Sequence, residues 1–538
     1  MTKNAEVGRI FHDIADLLDL QGEERFKPEA YRRAARSIEA LGEDIAEYAA
    51  RGELSSIPGI GAALEEKIRE YLRDGQVGYY ERLRAQVPAG LLEIMRIPGV
   101  GPKTARRFLL ELEVRDPAAL SAAIAAGRLD GLKGFGPRKI ALLREGLASL
   151  RGRAPEVRRP ILLAWELAER VAADLRASRT AETVVVAGSL RRGRATIGDI
   201  DLLATAVEGA AVFDAFSGLP GVTEVRLRGD TKETVIFAPG MQIDLRVVPP
   251  ESFGAALQYF TGSKDHNIRL RTIARDLGLK INEYGVYRDE TRIAGRTEEE
   301  VYGALGLPWI PAELREDRGE IEAAQGGHLP ALVEEADLRG DLHLHLADPA
   351  RADLAAWTAA ARALGLQYLG FVLDEGEATS ETVRALRQRW ERTPEAGPLE
   401  LLVGVEGTLE EPPHLAPGFD YWVGRPGTGT PPGPAAREPP PLLFAHLPEP
   451  GSEARRSWTA WARGEGVPLE VNPGSPPDGL EPGELTAGLG TPPRIFVSSG
   501  ASAPEQLVRL RLAVRIARRG SAPKGSVENT GRPGRGPG

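Results

Sequence analysis

One turn is spelled three times in the first 140 residues. Ile57-Pro58-Gly59-Ile60-Gly61, Ile97-Pro98-Gly99-Val100-Gly101 and Leu132-Lys133-Gly134-Phe135-Gly136 each lead from an apolar residue through Gly-x-Gly into a stretch of helical periodicity. Glycine lets the backbone turn tightly and approach a ligand with no Cβ in the way. The helix start that follows points unpaired N–H groups and the positive dipole end at an anion. Such a unit grips one phosphate and reads no base. A chain that repeats it is committed to short helices joined by tight turns over residues 1–150. Ile10, Ile14, Leu17 and Leu18, then Ala34, Ile38 and Leu41, recur at helical spacing and supply the apolar faces.

Charge points the same way. The whole chain carries a net −9, yet residues 101–200 hold 19 Lys and Arg against 11 Asp and Glu. Lys103, Arg106, Arg107, Arg138 and Lys139 stand just behind the second and third turns. A basic segment inside an acidic chain is an electrostatic footprint for a polyanion. The length of 538 residues suggests three to five domains, and 42% hydrophobic residues are enough to bury several cores. The chain has no cysteine, which excludes disulfides, thiolate zinc sites and cysteine nucleophiles. No stretch approaches the ~18 uninterrupted apolar residues of a membrane helix, and the first twenty residues carry acids where a signal peptide is apolar. A cytoplasmic location, with no membrane partner, is the expectation.

From Thr183 the period changes to two. The runs TVVVAG, DIDLLAT, TVIFA and MQIDLRVV read as strands. Gly188-Ser189-Leu190-Arg191-Arg192-Gly193 stands six residues before Asp199-Ile200-Asp201. Residues two apart on a strand face one side, so Asp199 and Asp201 project together, while Ile200 and Leu202 face the other layer. Asp244 lies in the later run; if that strand adjoins the first, three carboxylates converge. Such an oxygen cluster suits two hard cations, Mg²⁺ or Mn²⁺. A metal pair of that kind activates a hydroxyl and stabilises a leaving pyrophosphate in an in-line displacement. Ser189 and Arg192 are placed to hold a triphosphate.

With these motifs, residues 1–310 resemble the family X DNA polymerases, of the DNA polymerase beta type. The resemblance includes Tyr259-Phe260-Thr261-Gly262-Ser263, followed by Asn267 and Arg271. It implies that Gly188, Ser189 and Arg192 bind the nucleotide triphosphate. Tyr259, Phe260 and Gly262 would wall the nucleotide sugar, with Tyr259 crowding a ribose 2′-hydroxyl. Asn267 would touch the incoming base and Arg271 the template strand. The three turns resemble helix–hairpin–helix motifs, which makes Gly59, Gly61, Gly99, Gly101, Gly134, Gly136 and Lys103 DNA contacts. Lys67, in the helix after the first turn, stands where repair members of the family place a Schiff-base lysine for 5′-deoxyribose phosphate removal. Glu65, Glu66 and Glu70 nearby would favour its charged form.

The region beyond Asp341 resembles the polymerase-and-histidinol-phosphatase (PHP) domain of bacterial family X polymerases. The carriers are Gly340-Asp341-Leu342-His343-Leu344-His345, Glu406 in VGVEG, His446 in FAHLP and the segment SSGASAPEQL. His343, His345, Glu406 and His446 would then be metal ligands. Other expected positions are empty of ligands: Val372-Leu373-Asp374-Glu375 lacks a histidine, and the last two fall on Gly500 and Ser502. The reading is a degraded metal site.

The expected fold class is multidomain α+β. It comprises N-terminal all-α helix–hairpin–helix domains, a nucleotidyltransferase palm with a mixed sheet, and a C-terminal α/β PHP-like, distorted βα barrel. The expected divisions are a lyase-like helical domain (1–90), a DNA-binding helical domain (91–150), the palm (151–250) and a nucleotide-selecting domain (251–320). A linker (321–338), the PHP-like domain (339–520) with an irregular Pro/Gly loop at 425–441, and a disordered tail (521–538) complete it. The expected activity is template-directed filling of short gaps, with gapped or nicked DNA and dNTPs as partners and the nucleoid as the setting. The alternatives are a 3′–5′ exonuclease acting through the PHP domain and a non-catalytic DNA-end scaffold.

Overall fold

The computed structural model describes residues 3–531 except 24–25, 40, 42–43, 96, 98–99, 131, 133, 137–138, 141, 145, 148–157, 207, 375–377, 409–416, 427–442, 445–452 and 475–493. The chain divides into two compact units, Met1–Val157 and Arg158–Gly538.

The first unit is helical. Helices Lys3–Gln21 and Phe26–Glu39 pack through Ile10, Ile14, Leu17, Leu18, Ala34 and Ile38, the residues of the periodic pattern. The described residues of the three Gly-x-Gly segments make matching backbone bonds. Ile60 N donates to Ile57 O, Val100 N to Ile97 O and Phe135 N to Leu132 O, each at 3.0 Å. Leu64 N then reaches Gly61 O, Thr104 N reaches Gly101 O and Lys139 N reaches Gly136 O, opening each helix. Gly59 and Gly134 sit at φ +87 and +89, conformations that a Cβ disfavours. Ile57, Ile60, Ile97, Val100 and Phe135 are buried, so the turns are pinned from beneath by their apolar residues.

The second unit begins with a five-stranded sheet: β1 (Thr183–Val186), β2 (Asp199–Thr205), β3 (Val222–Arg228), β4 (Lys232–Phe237) and β5 (Met241–Val248). Its spatial order is β1-β2-β5-β4-β3, with only β2 and β5 parallel. Ile200, Leu202 and Ala204 face a core shared with helices Ile161–Ala177 and Gly209–Ser217. Leu203, on the opposite face, packs with Ala256 of helix Phe253–Thr261. That helix leads into Lys264–Asp276, a small antiparallel sheet of β6 (Lys280–Asn282), β7 (Gly285–Arg288) and β8 (Thr291–Ala294), and helix Glu298–Ala304.

Two expected divisions are corrected. Residues 321–338 do not form a bare linker, because helix Glu320–Gln325 buries Ile321 and Ala324 in the core of the preceding domain. Residues 521–530 are not a disordered tail. They form two 3₁₀ turns, Lys524–Ser526 and Glu528–Thr530, with Val527 and Asn529 fully buried.

The C-terminal part is a parallel sheet in sequential order: β9 (Gly340–His345), β10 (Tyr368–Leu373), β11 (Glu400–Thr408), β12 (Tyr421–Arg425), β13 (Leu443–Phe444), β14 (Leu469–Val471) and β15 (Ile495–Val497). It curls until its ends meet. Leu342 of β9, Tyr368 and Val372 of β10, Tyr421 and Val423 of β12 and Phe496 of β15 form one cluster, which a flat sheet could not gather. Tyr421 donates its hydroxyl to Leu342 O across this interior at 2.6 Å. Gly370 and Gly404 leave room for this side chain, since a Cβ would fall 2.4 Å from the Tyr421 hydroxyl at Gly370 and 2.5 Å from its ring at Gly404. The two edges are fastened by Asn529. Its Nδ2 donates to Gly340 O at 2.8 Å and Val497 O at 2.7 Å, and its Oδ1 accepts from Val497 N at 3.1 Å.

Candidate active site

The parallel pairing of β2 with β5 sets the register Asp199↔Gln242 and Asp201↔Asp244. All three acids therefore end on one part of the sheet. Burial, then the charges of Asp199 and Asp244, push the Asp201 carboxyl up to about 7. Asp244 is buried and compensated: Lys232 Nζ stands 2.5 Å from Oδ2, and Thr234 Oγ1 donates to Oδ1 at 2.8 Å. Among the described residues, no group of three or more His, Asp or Glu side chains is already gathered as a ligand set. The donor chemistry nevertheless fits a divalent cation. Three carboxylates repel one another, and a lysine ammonium lies against one of them as a local counter-charge.

Gly188 is required by this geometry. It sits at φ +62, and a Cβ there would fall 2.2 Å from Asp201 Oδ2. The turn it opens is tied to the following domain by its two arginines. Arg191 donates to Glu298 at 2.8 and 2.7 Å and to Thr261 Oγ1 at 2.7 Å. Arg192 donates from Nε to Glu316 Oε1 at 3.0 Å and from Nη1 to Thr261 O. Burial alone would raise both glutamates. The charges of Arg192, Arg519 and Arg194 outweigh it and hold Glu316 at about 2, while Arg191 and Arg315 hold Glu298 well below the carboxylate range. Sequence reading missed Lys232, Glu298 and Glu316, because nothing in the spacing marks which glutamate an arginine meets.

The segment Tyr259–Ser263 lies against this turn. A Cβ at Gly262 would stand 3.2 Å from Arg192 Nη1, and the Tyr259 and Phe260 rings meet edge-on at 5.0 Å. Arg246 of β5 stacks over Phe260 at 4.1 Å. Asn267 is buried, accepting from Gln258 Nε2 and donating to Tyr259 O, both at 2.7 Å. In this arrangement its amide supports Tyr259. Arg271 donates to Asn267 O at 3.2 Å. Ser189 is half-buried in the turn.

In the helical unit, Gly61, Gly101 and Gly136 have open space where a Cβ would stand. Gly99, Arg138 and Lys133 lie outside the described residues. Arg107 pairs with Glu111 at 2.6 Å and Lys139 covers the Phe135 ring at 4.3 Å, while Lys103 is exposed. Lys67 is half-buried, donating to Ala63 O at 3.0 Å beside the Tyr79 ring. Its neighbours Glu65 and Glu70 are engaged elsewhere, by Arg69 and by Gly78 N.

In the C-terminal ring, His343 and His345 share a face, with ring centroids 4.9 Å apart. His343 Nδ1 meets Glu470 Oε1 at 2.5 Å, a residue the sequence reading did not single out. Burial would lower His343, but the charges of Glu470, Glu406 and Asp341 raise it to about 9. Asp341 accepts from Ser499 N at 2.8 Å and from its hydroxyl at 2.5 Å. His446 lies outside the described residues, and Ser502 bonds to Gln506. No helix among the described residues is long and apolar enough to cross a membrane.

Comparison with known proteins finds three matching family models and several relatives. The DNA polymerase beta thumb model matches residues 256–316, a helix-hairpin-helix domain model residues 2–77, and a SAM-like helix-hairpin-helix tandem model residues 91–149. The "DNA polymerase/3'-5' exonuclease PolX" of Bacillus subtilis (strain 168) is 35% identical over 344 residues, 63% of this chain and 59% of that protein. DNA polymerase lambda of Rattus norvegicus is 27% identical over 336 residues, 56% of this chain and 54% of that protein. DNA polymerase lambda of Arabidopsis thaliana is 23% identical over 356 residues, 58% of this chain and 62% of that protein. The chain thus spans between 54% and 62% of the length of these relatives. In its thumb and its paired hairpin domains the chain is similar to the family X DNA polymerases.

Proposed function

We propose that the chain is a template-directed DNA polymerase that fills short gaps during repair, joining a dNTP to a primer 3′-hydroxyl. The observation that carries this is the register that sets Asp201 beside Asp244, with Asp199 on the same strand and the Gly188–Gly193 turn packed on Asp201. Asp199, Asp201 and Asp244 would hold Mg²⁺ or Mn²⁺. The bound ions supply a lowered hydroxyl pKa and charge stabilisation for the leaving pyrophosphate. Asp244 accepts the primer hydroxyl proton once Lys232 releases it. Ser189 and Arg192 hold the triphosphate, Tyr259, Phe260 and Gly262 wall the sugar, and Arg271 follows the template strand. The Gly-x-Gly turns grip DNA phosphates on either side of a gap, without base preference. The test is primer extension on gapped, nicked and open-template DNA with each metal. A chain that adds no templated nucleotide in either metal would sink the reading.

A second reading concerns the C-terminal ring, which is read as PHP-like. His343, His345, Glu406 and Glu470 act on one another electrostatically, which favours a former or surviving metal site. The engagement of Glu470 by His343 and Ser498 favours a ring that braces the polymerase over one that cuts DNA.

A further inference from the structure

Helix Leu510–Arg519 closes the C-terminal domain, yet its last residues serve the polymerase half. Arg519, 4% exposed, donates from a single nitrogen, Nη1, to Glu316 Oε1 at 2.8 Å and to the backbone carbonyl of Arg192 at 3.2 Å. The same Glu316 oxygen accepts from Arg192 Nε. Arg519 therefore touches Arg192 directly at its carbonyl and, through Glu316, at its guanidinium. One turn earlier, Arg515 lies across Gly193, where a Cβ would stand 3.3 Å from its Cγ and carbonyl oxygen. The turn Gly188–Gly193 is thus held between the acid-bearing strand β2 on one side and this helix on the other.

This arrangement resolves a conflict in the site. Arg192 cannot present its bidentate Nε–Nη2 edge to a triphosphate while Nε serves Glu316. When it leaves, Glu316, 9% exposed, would remain as a buried carboxylate short of a partner, which is strongly unfavourable. Arg519 and Arg194 stay behind as its counter-ions. Both Glu316 and Arg519 line a cavity of about 200 Å³ that gives the pair room to follow.

We propose that Arg519 is a positioning residue for nucleotide binding, by which the C-terminal domain sets the cost of transferring Arg192 from Glu316 to the incoming triphosphate. The inference rests on Arg192 being a triphosphate ligand in the polymerase reading above. Its effect falls on nucleotide affinity, since the chemical step involves other groups.

The experiment is single-turnover incorporation on one-nucleotide-gapped DNA as a function of dNTP concentration, with the full chain. The variants are Arg519→Ala, Arg519→Lys and Arg518→Ala, the last a neighbour that pairs with Glu313 and Glu334 and does not touch Arg192. Arg519→Ala is expected to weaken the apparent dNTP Kd about tenfold, equivalent to about 1.4 kcal/mol, with the maximal rate changed less than about twofold. Arg519→Lys restores most of the affinity, because one ammonium can serve both acceptors, and Arg518→Ala leaves Kd unchanged. An unaltered Kd in Arg519→Ala overturns the inference while leaving the polymerase reading intact. So does an equal loss in Ala and Lys variants that tracks a fall in melting temperature, or a loss confined to the maximal rate. A wild-type chain that adds no nucleotide overturns the polymerase reading, and this inference with it.

Discussion

Asp201 and Asp244 are direct partners across the parallel β2/β5 ladder, although 43 positions separate them in the chain. Two carboxylates in that register repel each other, and burial, then the charge of Asp199 and that of Asp244, lift Asp201 to about 7. A cation at that point removes the conflict, as Lys232 already does in part for Asp244.

The first prediction follows from that pair. Asp244→Asn keeps the side-chain shape and its bond from Thr234, but removes the charge that would accept the primer proton. Templated incorporation should fall by roughly 10²–10⁴-fold, with DNA affinity in a gel-shift assay little changed. Near-normal incorporation would show that the acids do other work.

Gly101 offers a clean probe of DNA grip. It caps helix Pro102–Leu112 in extended conformation with open space around it, so a valine there folds without a clash and projects toward the phosphate. Binding to gapped DNA should weaken about tenfold, the loss of one charge-assisted hydrogen bond of about 1.5 kcal/mol. Affinity should fall with salt for any base sequence. Equal binding by the Gly101→Val variant and wild type would exclude this turn as a phosphate contact.

Glu316 makes the domain junction acid-sensitive. Its folded pKa of about 2 lies below the ordinary 4.5, so its contribution to stability is complete above pH 4.5. That contribution is lost as pH falls from 4.5 toward 2. Denaturant unfolding of wild type and Glu316→Gln should differ at pH 7 and converge across that interval. A pH-independent difference would mean that the carboxylate charge is not what stabilises the junction.

Asn529 should be worth more than its polar, Gly/Pro-rich surroundings suggest. Asn529→Ala leaves Gly340 O and both Val497 backbone groups buried without their partner, at a cost of about 2–3 kcal/mol. Denaturant titration followed by tryptophan fluorescence reads it directly. A variant as stable as wild type would mean that the ring closes without this fastener.

His343→Ala breaks a buried ion pair with Glu470 and should destabilise the chain by about 3–5 kcal/mol. Manganese-supported 3′–5′ exonuclease assays should show no activity that this change removes. Strong activity that is lost in His343→Ala but kept in Asp244→Asn would restore the nuclease reading.

The helical unit was legible because its determinants are local. Gly-x-Gly turns, apolar anchors at Ile57, Ile97 and Leu132, and helical periodicity all act within a few residues, and the described residues of the three turns make matching bonds. The alternation Asp199-Ile200-Asp201 likewise fixed which side chains share a face. Partners distant in the chain were not legible. Glu298 and Glu316 look like any other surface glutamates, and only the packing of the thumb against the Gly188–Gly193 turn selects them for Arg191 and Arg192. Residues 521–530 misled because a polar, Gly/Pro-rich composition has no periodicity to read. Their order comes from Asn529 satisfying the backbone of two strands that become neighbours only when the sheet curls. The sequence by itself determined the hairpin turns, the strand that presents two acids and the broad division into helical and α/β parts, since short-range sterics and side-chain periodicity decide these. The tertiary structure alone decided the Asp201–Asp244 register, the counter-ions of the arginine turn and the closure of the C-terminal ring, because each depends on burial and charge contributed by segments far apart in the chain.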